Sequence, residues 1–185
     1  MNLTSDMAAS SKSPITTRKA RLDDATHVAH LGAHVFAITY GHSLAAHELQ
    51  TYLEESYSVE ACTKDIVDPN KDLILAVDPE GIIVGFALLT RGSSESCIAH
   101  LEKYVELQRL YVSTAYQGYG FGKVLAKQLE TMAQEQGFKY MWLGVWEENH
   151  KALKIYEKLG YRLVGDRDFA IGGIIQTGLI MLKEL

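Results

Sequence analysis

Gln117-Gly118-Tyr119-Gly120-Phe121-Gly122-Lys123 is the stretch whose residue types most plainly invite chemistry. It follows a strand-patterned run, Tyr104 to Val112, and opens into a segment where Val124, Leu125, Leu129 and Met132 recur at helical spacing. Strand, glycine turn and helix make an anion receptor. The first backbone N–H groups of a helix have no partner inside it and carry the positive end of its dipole. Glycines let that backbone come close to a phosphate, because no Cβ intervenes. Two phosphate loops fail on spacing. A P-loop needs Gly-x-x-x-x-Gly-Lys-Ser/Thr, but Val124 follows Gly122-Lys123 and Gln117 stands at the first glycine position. A dinucleotide loop needs G-x-G-x-x-G, but Gly118, Gly120 and Gly122 form G-x-G-x-G. A phosphorylated ligand held by backbone N–H groups remains the expectation.

A second constellation is Asn149-x-x-Ala152-x-x-x-Tyr156-x-x-x-Gly160-Tyr161. On a helix, Asn149, Ala152 or Leu153, and Tyr156 share one face. A third is Glu106, a carboxylate within a strand-like run. Strict alternation there sets Tyr104, Glu106 and Gln108 on one face and Val105, Leu107 and Arg109 on the other. The seven histidines are scattered with no H-E-x-x-H, and Cys62 and Cys97 have no CxxC spacing, so no metal is expected. Two cysteines, no secretory leader pattern and no membrane-length apolar run predict reduced thiols and a cytoplasmic protein without a membrane partner. The net charge of -5 argues against non-specific nucleic-acid binding and leans towards cationic partners.

The elements that must position these groups follow in order. Met1 to Ser13 reads as a disordered tail, and residues 14–185 as one domain. A first strand is expected over Ile15 to Ala20. Helices follow from Asp23/Asp24 to Tyr40, from Leu44 to Tyr57 and over Val59 to Val67. Leu73 to Val77 and Ile82 to Thr90 flank Asp78-Pro79-Glu80-Gly81 as a hairpin. The central strand is expected to begin near His100, with its helix over Gly120 to Gln136. Tyr140 to Val145, a helix over Asn149 to Leu159, and strands over Tyr161 to Asp168 and Ile174 to Leu182 close the chain. This is an α/β (α+β) pattern.

Gln117, Gly120 and Gly122 also satisfy Gln/Arg-x-x-Gly-x-Gly/Ala, and here the chain resembles the GNAT acetyltransferases from about residue 15 onward. The resemblance implies a mixed, mostly antiparallel sheet with helices on both faces, splayed between Tyr104–Val112 and Tyr140–Val145 to admit the pantetheine arm of acetyl-CoA. It implies that the backbone of Gly118, Tyr119, Gly120, Phe121, Gly122 and Lys123 holds the pyrophosphate, with Gln117 and Lys123 adding side chains. Leu110, Tyr111 and Val112 would face the pantetheine and acetyl group, with the N–H of Leu110 or its neighbour, at a bulge, on the carbonyl. Asn149 would contact the cofactor and Lys158 its phosphates. Tyr156 would protonate the leaving thiolate, a phenol near ~10 being close to a thiol. Glu106, or a water chain in its place, would accept the proton of the amine.

The segments Phe-x-x-Thr-Tyr, Tyr-Leu-Glu-Glu-x-Tyr-Ser, Leu-Gln-Arg-Leu-Tyr-Val and Gln-Thr-x-Leu-Ile-Met look like the PaiA-type branch, which is associated with polyamine acetylation. One departure is Gly178, where an acidic residue is expected before Leu-Ile-Met. The acceptor is expected among Phe36, Tyr40, His42 and Tyr52. The implied activity is acetyl transfer from acetyl-CoA to a primary amine of a small molecule, by a monomer or homodimer. A protein or peptide acetyltransferase and a non-catalytic acetyl-CoA sensor are the alternatives.

Overall fold

The computed structural model describes residues 15–171 and 174–185; the tail expected over Met1 to Ser13 lies outside the described residues. Seven strands form one sheet in the order β1-β2-β3-β4-β5-β7-β6. They are β1 (Thr16–Lys19), β2 (Lys71–Val77), β3 (Ile83–Thr90), β4 (Tyr104–Val112), β5 (Tyr140–Trp146), β6 (Arg162–Ile171) and β7 (Ile174–Glu184). Every neighbouring pair is antiparallel except β4–β5, which is parallel. Helices α1 (Ala25–Tyr40), α2 (Ala46–Tyr57) and α3 (Val59–Val67) precede β2; α4 (Phe121–Glu135) joins β4 to β5, and α5 (His150–Lys158) follows β5.

Sequence pattern decides which face each helix covers. In α4 the apolar Leu125, Ala126, Leu129 and Ala133 lie on one stripe and are fully buried. Leu125, Leu129 and Ala133 pack with Leu89, Val105, Leu107 and Leu143, and Tyr156 of α5 and Leu159 just beyond it join the same cluster. On the opposite face, Val28 and Ala29 of α1 and Cys62 of α3 pack on Leu73, Leu75, Phe86 and Leu88. Gly32 of α1 is needed at a close approach. A Cβ there would lie 2.5 Å from the Tyr57 ring, so glycine lets that ring in beneath the helix.

The central strand begins at Tyr104 rather than near His100. Ile98 is fully buried beside Trp142, Ile180 and Leu182, and residues 96–100 form the turn that places it there. The expected splay is present. β4 and β5 pair only through Tyr104/Tyr140, Val105/Met141 and Glu106/Trp142, after which β5 continues alone on β7. A one-residue bulge accompanies the parting: Leu88 opposes Arg109 and Leu89 opposes Leu107, leaving Gln108 extra.

That bulge corrects the strict alternation expected along β4. Leu107 and Leu110 both pack on the α4 side, which an unbroken period of two forbids. Arg109 therefore turns to the α1–α3 side, where it meets Asp65 and Tyr57.

Candidate active site

Where β4 and β5 part, a cleft of about 590 Å³ opens. Its walls are Leu107–Val112 of β4, the loop over 117–123, Val35 and Ile38–Tyr40 of α1, Gly144 and Val145 of β5, and Asn149–Tyr156 around the start of α5. One end is built for an anion. Gly118 and Gly120 sit at φ 84° and 89°, in the left-handed region that a Cβ disfavours, and neither would meet any atom within 4 Å if it carried one. Gly120 is the N-cap of α4; the first intrahelical bond is Val124 N–H to its carbonyl, no side chain caps the end, and no acid lies in the first turn. The N–H groups of Phe121, Gly122 and Lys123 are thus left for an external acceptor.

Gln117 braces this end rather than reaching outward. Its Nε2 donates to the Val112 carbonyl at 3.2 Å, and its Oε1 accepts from Lys151 Nζ at 2.6 Å. Lys151 lines the cleft with Lys123, whereas Lys158 does not. Two helical turns separate the two lysines, about 10 Å along α5, so Lys151 stands at the cleft-side start of the helix and Lys158 at its far end. Tyr119 is 57% exposed and also off the lining.

The middle of the cleft is the gap itself. Ser113 N–H donates to the Val84 carbonyl, so the antiparallel ladder directs the backbone of Arg109 and Tyr111 to β3 and that of Leu110 and Val112 into the gap. The bulge lies two residues before Leu110, at Gln108. Asn149 caps α5, accepting from Ala152 N–H at 3.2 Å, and its side chain also bonds the Tyr40 hydroxyl, linking the first helix to the fifth. Tyr156 lines the cleft with its ring edge-on to Tyr161, centroids 5.9 Å apart. Burial pushes its phenol well above the ordinary tyrosine range.

Beyond the gap lies an aromatic chamber. Tyr40 lines it, while Phe36 and Tyr52 stack behind at centroid distances of 4.5 and 4.4 Å. His42 packs against Trp146 at 5.7 Å, off the lining. Tyr57 and Tyr111 share a hydroxyl–hydroxyl bond of 2.7 Å. Glu106 is buried at the last paired register of β4 and β5 and does not line the cleft; burial pushes its carboxyl up, while Ser93 and Arg167 pull it down. Arg109, to which no role fell from the sequence, is in the lining. The only sequence signal for it was a cation inside a strand-patterned run. Cys62 is fully buried, its thiol pushed up by burial to about 11, and neither cysteine lines the cleft. Among the described residues no cluster of His, Cys, Asp and Glu is arranged to hold a metal, and no helix is long and apolar enough to cross a membrane.

A sheet parted between two parallel strands, with an uncapped, glycine-led helix start at one mouth, defines an acyltransferase fold. The chain belongs to the acetyltransferase (GNAT) family, whose model matches residues 39–161. It is 28% identical over 164 residues to an uncharacterised N-acetyltransferase of Mycobacterium tuberculosis, covering 89% of this chain and 99% of that one. It is also 28% identical over 143 residues to the spermine/spermidine N(1)-acetyltransferase of Bacillus subtilis, covering 77% of this chain and 90% of that one. Among solved structures it resembles the PaiA N-acetyltransferase of Thermoplasma acidophilum in complex with coenzyme A, with TM-score 0.76, 21% identity, and coverage of 94% of this chain and 100% of that one. The chain is thus an N-acetyltransferase by family, with a polyamine acetyltransferase among its relatives.

Proposed function

We propose that the protein transfers an acetyl group from acetyl-CoA to the primary amine of a small molecule, by direct attack within a ternary complex. One observation carries this reading: the cleft runs unbroken from the uncapped start of α4, through the gap between β4 and β5, to the tyrosine-lined chamber under α1. In it the N–H groups of Phe121, Gly122 and Lys123 receive the pyrophosphate, with the ammonium groups of Lys123 and Lys151 alongside. The pantetheine arm lies in the gap as an extra strand against Leu110 and Val112. The Leu110 N–H donates to the thioester carbonyl as negative charge develops on its oxygen.

Tyr156 Oη holds the proton that the departing thiolate needs. Its raised pKa keeps it protonated throughout the physiological range. The amine must lose a proton too, its solution pKa near ~10.4 leaving it charged at neutral pH. No carboxylate lines the cleft among the described residues, so Glu106 would take that proton through water. Holding amine and thioester in line supplies much of the remaining acceleration. The two cysteines lie off the cleft, so no acyl-cysteine step enters.

The test is thiol release from acetyl-CoA with amino acids, small amines, polyamines and a Lys peptide, with Tyr156→Phe in parallel. Turnover with one acceptor class is expected, kcat falling on the order of 10²-fold or more in the variant while acetyl-CoA affinity holds. Tight acetyl-CoA binding without turnover on any acceptor would sink the transferase reading in favour of a sensor. Turnover on the peptide alone would move the acceptor to proteins.

A further inference from the structure

We infer that the acceptor amine also carries a carboxylate, received by the Arg109 guanidinium, so that this enzyme acetylates an amino-carboxylate rather than a polyamine. The inference rests on the transferase reading above and concerns the acceptor end of the same cleft.

The Arg109 side chain is 15% exposed and sits in the cleft wall on the chamber side of the gap. Its Nη1 donates to Asp65 Oδ2 at 2.6 Å, and the Tyr57 ring lies against the guanidinium at 4.9 Å. Asp65 is shared, its other oxygen accepting from Lys71 Nζ at 2.5 Å, and Lys71 also lies within electrostatic reach of the buried Glu106. Arg109 thus keeps one oxygen of Asp65 as its carboxylate partner. A guanidinium presents five N–H donors in a planar fork suited to a carboxylate, and a buried charge without a full partner is costly. The fork is also held in advance: Gly32 admits the Tyr57 ring, and the Tyr57 hydroxyl is tied to that of Tyr111.

The rest of the cleft has the same sign. Among the described residues its charged lining is Arg109, Lys123 and Lys151, with no Asp or Glu. The lysines stand at the phosphate end, which leaves Arg109 as the charge facing the acceptor. Carboxylates nearby are already engaged or outside the lining: Glu95 pairs with Arg167, and Glu106 lies below the parting of the strands. Gly178 offers no room for an acid without displacement, since a Cβ there would lie 3.3 Å from the Phe169 ring. A polyamine would therefore bring a second cation towards Arg109 and find no counter-charge in the wall. An amino-carboxylate brings the missing anion, and its amine nitrogen stays one or two carbons from it, near the gap where the thioester emerges.

The test uses the full chain with acetyl-CoA and matched acceptors that differ only at the carboxylate: each amino acid beside its amide and its decarboxylated amine, with spermidine included. The carboxylate member is expected to show kcat/KM at least on the order of tenfold above both analogues, as for a charge-assisted bond. In Arg109→Lys and Arg109→Gln that ratio should collapse towards unity, chiefly through KM for the carboxylate acceptor, with acetyl-CoA affinity intact as the check on folding. The wild-type comparison needs no variant, so it stands even if Arg109→Gln fails to fold. Preference for spermidine or the decarboxylated amines would overturn the inference while leaving the transferase reading in place. Acetyl-CoA binding with no turnover on any acceptor would overturn both.

Discussion

Replacing Gly120 by Ala, and separately Gly122 by Ala, tests the phosphate loop with two changes of one methyl group each. At Gly120 the new Cβ would meet nothing within 4 Å, so the cost is conformational: φ 89° lies in the left-handed region. That strain is worth about 1–2 kcal/mol for a residue with a Cβ. At roughly 2–4 °C per kcal/mol for a domain of this size, Tm should fall by about 2–8 °C if the loop holds its shape. If the loop relaxes instead, the N–H groups of Phe121 to Lys123 lose their aim. Loss of one charge-assisted bond then weakens acetyl-CoA on the order of tenfold or more.

At Gly122 the outcome differs in sign. The residue lies in the first turn of α4 without positive φ, and its Cβ would rest 3.7 Å from Val112 Cγ2, an ordinary contact. Ala should gain about 0.5–1 kcal/mol of helix propensity, roughly 1–4 °C in Tm, while acetyl-CoA affinity changes by less than about threefold, within one weak neutral bond. Thermal melts with and without acetyl-CoA, together with calorimetric titration, read both quantities. If Gly120→Ala melts and binds acetyl-CoA like the unsubstituted protein, the left-handed turn is not what shapes the site. Loss of stability with affinity kept means that the loop holds its shape under strain, and loss of affinity with stability kept means that it relaxes.

Two further outcomes follow from charge. Because burial pushes the Glu106 carboxyl up, kcat/KM should carry an acid limb above the ordinary glutamate value of ~4.3, activity rising as the carboxylate forms; Glu106→Gln should remove that limb, and an unchanged profile would leave the proton to water alone. Asp24 accepts from both Arg18 nitrogens at 2.7 and 2.8 Å, and that guanidinium holds its carboxyl below the ordinary range. Its folded pKa is thus the lower one, so its contribution is complete above ~4 and is lost as pH falls through the folded value. Asp24→Asn should lower Tm at pH 7 and flatten the decline below pH 4 in thermal melts; a parallel decline in both proteins would refute the assignment.

The donor half of the cleft was legible in the sequence because it is local. Gly118, Gly120 and Gly122 lie within five consecutive residues between a strand and a helix, and the groups they expose are backbone N–H, present whatever the surroundings. Asn149 and Tyr156 share a helix face by spacing alone, and both reach the cleft. Strand boundaries were less visible where tertiary packing decided them. The turn before Tyr104 exists because Ile98 is drawn into the pocket beside Trp142, a contact no local period announces.

The acceptor half was hidden for a different reason. Asp65 reaches Arg109 across 44 residues and Tyr57 reaches Tyr111 across 54, so the chamber is assembled from α2, α3 and β4 by contacts with no trace in local spacing. The decisive step is the extra residue at Gln108. A period of two carried unbroken along β4 sends Arg109 into the apolar layer under α4, where a guanidinium would find Leu107, Leu125 and Leu129. One inserted residue reverses the phase, turns the charge to Asp65, and returns Leu110 to the α4 side. The same insertion accompanies the loss of pairing between β4 and β5 beyond Glu106. The opening of the sheet for a donor and the turn of a cation towards an acceptor thus meet within two residues of one bulge. Deleting Gln108 would make the Leu89/Leu107 and Leu88/Arg109 pairs consecutive, so Arg109 keeps its side of the sheet while the bulge is lost; a folded deletion variant is expected to lose acetyl-CoA affinity in calorimetric titration, and unchanged affinity would show that the gap does not depend on the bulge.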